Sequence, residues 1–257
     1  MVSDGMEKRH TTKTIPLLIF ACILCWIAAV SIERSMRASG ESKAQGLGAQ
    51  KAILHAQIDK IKSAIAAMPE TKNSAQLLNK ASSMEELANL LWQDQEMKES
   101  LNVLTKALAL EKEGGAGKER LIAVLNQIAT VCRDSGKYND MRMALRQIQT
   151  LNEHDPTTTV EVKIRDRQNM ASCNFLLAVQ ESDPQKRRQQ LQLTQTTMED
   201  LKRELLKERS IETLNAGEKS LLAIIDENLS SVFDELGNSS ASATLKDEAQ
   251  TLRSANR

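Results

Sequence analysis

LIAVLNQIATVCRDSGKYNDMRMALRQIQTL, residues Leu121–Leu151, is the stretch that decides the fold. In its first half Leu121, Leu125, Ile128 and Cys132 recur at steps of four, three and four, which puts one apolar stripe on a helix. Ser135-Gly136-Lys137 interrupts the stripe, because glycine can take the left-handed conformation that ends a helix. Met141, Leu145, Ile148 and Leu151 then resume helical spacing, and Asp155-Pro156 closes the unit, since proline disfavours helix at the residue before it. Two amphipathic helices joined by so short a turn pack antiparallel. The stretch is a helical hairpin.

Similar punctuation recurs elsewhere. Leu87-Ala88-Asn89, Ile128-Ala129-Thr130, Met170-Ala171-Ser172 and Leu229-Ser230-Ser231 each read large, small, small-polar, and their starts lie 41, 42 and 59 residues apart. A small residue at a fixed place on a helix lets a neighbouring helix approach closely, so its recurrence has a packing reason. Periodic hydrophobicity alone would fit any helical bundle; the recurring triplet is the additional signal.

The Leu121–Leu151 hairpin resembles a tetratricopeptide repeat, a helix–turn–helix unit of about 34 residues. That family carries a large–small pair in its first helix, glycine in the turn, an aromatic opening the second helix, and small residues where the second helix meets the first. Ile128-Ala129, Gly136 and Tyr138 match, whereas Met141 and Ile148 are larger than the family's residues, which implies looser packing between the helices. Met84–Leu110 is the second match, with Leu87-Ala88, Leu91, Ser100, Leu104 and Ala107 in place. There Gln95 stands at the turn where glycine is usual, and Met97 replaces the aromatic. The spacings exceed the family's length, so the repeats are lengthened, and the last interval requires an extended helix or an insertion. The resemblance covers about residues 81–250 and implies an all-α fold of antiparallel hairpins stacked as a TPR-like right-handed α-solenoid.

Composition agrees with a helical chain that recognises neither nucleic acid nor an anionic surface through net charge. Lys+Arg and Asp+Glu both number 34, and aromatics are 2%, too few for the stacking on which single-strand binders rely. Few glycines, four prolines and abundant Ala, Leu, Gln, Glu and Lys favour helix.

The N-terminal region has a different character. After a short polar tail, residues 1–14, comes Ile15–Ile32 (IPLLIFACILCWIAAVSI), which holds no charge over 18 residues and predicts one transmembrane helix. A cleaved signal peptide needs a shorter apolar core, although Ala28-Ala29-Val30-Ser31 offers the small residues of a cleavage site. The expectation is an uncleaved single-pass anchor with the short tail inside and the repeat domain exported, on the periplasmic or extracytoplasmic side of a bacterium. Cleavage would make the protein secreted.

Residues 33–48 read as a juxtamembrane linker rich in Gly, Ser and charge, and residues 49–80 as a capping-helix region. In the latter, Leu54, Ile58, Ile61 and Ile65 stripe one helix that Pro69 ends. After the first two units, Asp183-Pro184 opens a long charged helix striped by Leu191, Thr194, Met198, Leu201 and Leu205, a pattern that predicts core rather than a dimer seam. Glu218–Leu236 and a weak last helix around Leu245, Ala249 and Leu252 follow, and residues 251–257 form an expected frayed tail.

No catalytic pattern appears. There is no G-x-S-x-G elbow, H-E-x-x-H helix or G-x-G-x-x-G turn, and Glu113–Lys118 (EGGAGK) lacks the glycine and Ser/Thr that a phosphate loop requires. His10, His55 and His154 stand far apart, and Cys132 and Cys173 lie on apolar helical faces as small hydrophobes. The reading is therefore not an enzyme, with no cofactor, metal site or small-molecule substrate. It is a membrane-anchored TPR-like adaptor for an unidentified protein partner; the alternative is a structural or self-assembling membrane scaffold without peptide recognition, which allows a homo-oligomer. In the repeat family a fixed set of first-helix positions faces the concave surface. The resemblance carries these to Glu85, Asn89, Trp92 and Gln93, and to Asn126, Thr130, Arg133 and Asp134. The subfamily that clamps a C-terminal carboxylate has lysine where this chain has Glu85, so that specificity does not transfer.

Overall fold

A computed structural model describes residues 48, 50–70, 72–207 and 209–255. The chain divides into two units, Met1–Gln57 and Ile58–Arg257. The tail 1–14, the apolar run Ile15–Ile32 and the linker up to residue 47 lie outside the described residues. Among the described residues no helix is long and apolar enough to cross a membrane.

All regular structure among the described residues is helical. Residues 50–67 form α1, with Pro69 just beyond its end. The second unit then holds α2 (Ser74–Gln93), α3 (Met97–Glu113), α4 (Lys118–Asp134), α5 (Tyr138–Glu153), α6 (Val160–Gln180), α7 (Pro184–Leu206), α8 (Ala216–Glu235) and α9 (Ser239–Ser254). A short 3-10 turn, Ile211–Thr213, precedes α8.

The boundaries follow from local chemistry. The Asp183 carboxylate accepts the N–H groups of Gln185 and Lys186 at 2.9 and 3.1 Å, and Pro184 sits in the first turn, where its missing N–H costs nothing. Asn215 and Glu218 form a reciprocal capping box at the start of α8. Asn73 caps α2 through Gln76 N–H at 3.2 Å. At the other ends, Gly136 takes φ +71°, with its N–H on the Arg133 carbonyl at 3.1 Å and that of Lys137 on Cys132 at 2.8 Å. Gln95 does the same without being glycine, at φ +65°, bonded back to Trp92 at 3.0 Å, while Glu96 reaches Leu91 at 2.8 Å. This double bond from a left-handed residue satisfies carbonyls the helix end would otherwise leave open.

In the second unit every helix from α2 onward packs against the next in the chain, and α6 also meets α8. Such nearest-neighbour packing is that of a repeat stack. The large–small pairs sit at its seams. Leu87 and Ala88, Ile128 and Ala129, and Leu229 and Ser230 are all buried. Fully buried Ser100 donates its hydroxyl to the Ala88 carbonyl at 2.8 Å and ties α3 to α2. Leu191, Thr194, Met198, Leu201 and Leu205 are the buried residues of α7, so the stripe is core. Met198, Leu201 and Leu205 join Ile164, Leu221, Leu222, Ile225, Leu229 and Leu252 in one apolar cluster. Cys132 and Cys173 are free, buried thiols, and burial pushes that of Cys132 up to about 11.

Two expected boundaries need correction. The boundary between residues 80 and 81 falls inside α2, which starts at Ser74 because Asn73 caps it and Leu77 and Ala81 are already buried. The tail expected from 251 begins inside α9, which holds to Ser254 because Leu252 is buried. In α6 Ala171 is buried but Met170 is only half-buried, so the third triplet is a weaker copy of the others.

Candidate protein-binding face

The eight residues carried over from the repeat pattern do not stay together. Trp92 is half-buried and donates its indole N–H to Asp134 Oδ2 at 3.0 Å; Arg133 Nε donates to Oδ1 of the same carboxylate at 2.9 Å. These three join the C-terminal ends of α2 and α4 across the seam between the first two hairpins. Asn89 and Gln93 are exposed on α2.

Glu85 belongs to a different cluster. Arg120 at the start of α4 grips Glu111 with two nitrogens, Nε to Oε2 at 2.9 Å and Nη2 to Oε1, and Nη2 also reaches Ser82 Oγ at 2.9 Å and the Leu78 carbonyl at 3.3 Å. The Glu111 side chain is 0% exposed, and Glu85 Oε1 lies 3.9 Å from the same Nη2. Burial, and next the neighbouring Glu111 carboxylate, push the Glu85 carboxyl above its usual range. A carboxyl engaged in this way holds α2, α3 and α4 together.

The other carried-over residues meet something the sequence reading does not name. Asn126, Thr130 and Arg133 form the α4 wall of a cleft of about 490 Å³, closed by α5, α6 and α8. Its opposite wall is Arg165, Gln168, Ser172, Phe175 and Leu176 of α6, with Ile224 and Asn228 of α8 beyond. The signal for the α6 residues was available. Counting from Met170 in the same steps that lead from Ile128 to Asn126, Thr130 and Arg133 gives Gln168, Ser172 and Phe175.

The chemistry of the cleft is divided. Its polar lining is amides, the hydroxyls of Thr130 and Ser172 and two guanidinium groups; Phe175, Leu176 and Ile224, the last 37% exposed, are among its apolar lining. Arg133 gives only its Nε to Asp134, and Arg165 gives one Nη to Glu161 at 2.6 Å, so each keeps N–H groups for a ligand. No Asp, Glu, His or Cys lines the cleft. Its walls can bind by hydrogen bonds and apolar contact.

No family model and no curated protein matches the sequence. The fold is similar to that of solved repeat proteins. One is the crystal structure of Podosopora anserina "kinesin light chain nearly identical TPR-like repeats", at TM-score 0.57 and 12% identity, covering 81% of this chain and 90% of that one. A substituted form of the same protein gives TM-score 0.57 and 12% identity over 80% and 89%. At this identity the likeness is one of fold: the chain has a TPR-like helical repeat architecture.

Proposed function

We propose that this chain is a membrane-anchored adaptor that holds another protein on the concave, first-helix side of its repeat stack. The observation that carries the reading is the cleft between α4, α6 and α8. First helices of successive pairs converge there, leaving guanidinium, amide and apolar groups facing one space. A TPR-like fold supports the class of function, since stacked hairpins present extended surfaces of this kind. The uncharged run Ile15–Ile32 supports the anchor, and the short tail before it is the ground for reading the repeat domain as exported.

Capture of partner by the full-length protein tests the reading. Arg133→Ala and Arg165→Ala should each weaken capture while leaving helicity and melting nearly unchanged, because both side chains are about half exposed. Trp92 is a poorer probe, since Trp92→Ala also breaks the bond to Asp134 and loosens a seam. Capture unaffected by both arginine variants would move the binding surface elsewhere.

A further inference from the structure

The opposite side of the stack carries a second cleft that no part of the proposed concave site uses. It lies among α5, α6 and α7, with a volume of about 470 Å³. Arg142 and Arg146 project into it from α5, one helical turn apart. Its apolar surface is Met170 and Leu177 of α6 and Leu193 of α7. Leu193 is 69% exposed, more than any other large hydrophobic side chain among the described residues. No carboxylate lines the cleft.

The two cations are weakly engaged. Arg142 gives one Nη to the Asn139 amide oxygen at 3.0 Å, and Arg146 has no partner among the described residues. Elsewhere on the second unit arginines are mostly tied to carboxylates, as in Arg120–Glu111, Arg167–Glu204 and Arg253–Glu227. Two guanidinium groups without a carboxylate, beside an exposed leucine, form a surface complementary to negative charge and an apolar side chain together. Arg142 and Arg146 stand four residues apart on one face of α5, with Leu193 across the cleft, so a peptide with acidic side chains at matching spacing beside a large apolar one can engage all three.

We infer that the α5–α6–α7 cleft is a second docking surface, and that it takes an acidic segment of a partner protein, with Asp or Glu side chains on Arg142 and Arg146 and a large apolar side chain against Leu193. This inference is independent of the concave site, because the two clefts share no residue.

The test uses the full-length protein in detergent and an array of short synthetic peptides, each holding two Asp or Glu residues about one helical turn apart around a leucine. A matched array replaces every acid with lysine. Acidic peptides should be retained and lysine counterparts not, and added salt should weaken retention. Arg142→Ala combined with Arg146→Ala, and separately Leu193→Ser, should each weaken binding by about tenfold or more with melting unchanged. Arg133→Ala should leave it intact. Several results would overturn the inference: no acidic peptide retained, retention that survives the double arginine variant, or loss on Arg133→Ala, which would put the peptides on the other face. Self-association of the protein abolished by Leu193→Ser would also overturn it, because the occupant would then be a second copy.

Discussion

Gln95 carries a backbone conformation that its side chain does not favour. At φ +65° it does the work that Gly136 does at +71°, closing a helix with the same pair of back-bonds. A left-handed residue with a Cβ costs roughly 1–2 kcal/mol, and glycine recovers part of that after its own greater loss of chain entropy. Gln95→Gly should therefore raise stability by about 1 kcal/mol, read as a higher urea midpoint with an unchanged slope. Gly136→Ala should do the reverse; its added Cβ meets only Gln180 Nε2 at 3.9 Å, so the cost comes from φ alone. Carboxyl groups set a second residue-scale expectation. The folded protein holds Glu85 above its usual range, chiefly through burial and next through Glu111, with Arg120 opposing. A raised carboxyl contributes stability that is fully present below its unfolded value and is lost as pH rises through its folded value. Glu85→Gln should remove that loss, so the variant should gain on wild type as pH rises from acid toward neutral. Paired urea titrations across that range check it, and a constant difference would mean that Glu85 titrates normally. Asp155 has the opposite sign. Lys118 and Thr157 hold its carboxyl below the usual range, so its contribution is lost in acid and is common to both proteins in the comparison.

At the scale of elements, the large–small pair makes a packing claim that can be measured. Ala88 is 0% exposed, and its carbonyl accepts the Ser100 hydroxyl, so α2 and α3 are in close contact there. Ala88→Leu should destabilise by about 1–3 kcal/mol by overpacking that seam. Ala129 occupies the equivalent place in α4 but also lines the first-helix cleft, so Ala129→Leu has space to enter and should cost less. Equal, negligible effects at both would argue against the repeat register even with the helices intact. The two positions also show what sequence can and cannot carry. The α7 core is legible because its five apolar-facing residues repeat at helical spacing and are the five the fold buries. The start of α2 is not, because the family register opens at residue 81, although Asn73, Leu77 and Ala81 carry a cap and a stripe. Glu85 reads as a groove residue, but its charged neighbours are not legible. Glu111 and Arg120 lie 26 and 35 residues further along, and no periodicity joins them to it. The α6 wall of the cleft is legible in principle, from steps counted off Met170. The α8 contribution of Ile224 and Asn228 depends on the approach of α8 to α6, which only the fold reveals.

At the scale of the whole molecule, two claims meet: that the chain is anchored, and that its repeat stack holds another protein. Ile15–Ile32 carries no charge that would resist the hydrocarbon core, so the full-length protein should stay in the pellet after alkaline carbonate extraction of membranes. A soluble mature protein starting near residue 32 would make the run a cleaved signal. The adaptor claim is tested most directly by site-specific photocrosslinking of the full-length protein in its own membranes, with the probe at Thr130 or Ser172 on opposite walls of the first-helix cleft. The account predicts discrete adducts with a foreign protein from both positions, lost when Arg133 and Arg165 are both replaced by alanine. Adducts with this chain alone, or none that depend on the two arginines, would contradict it.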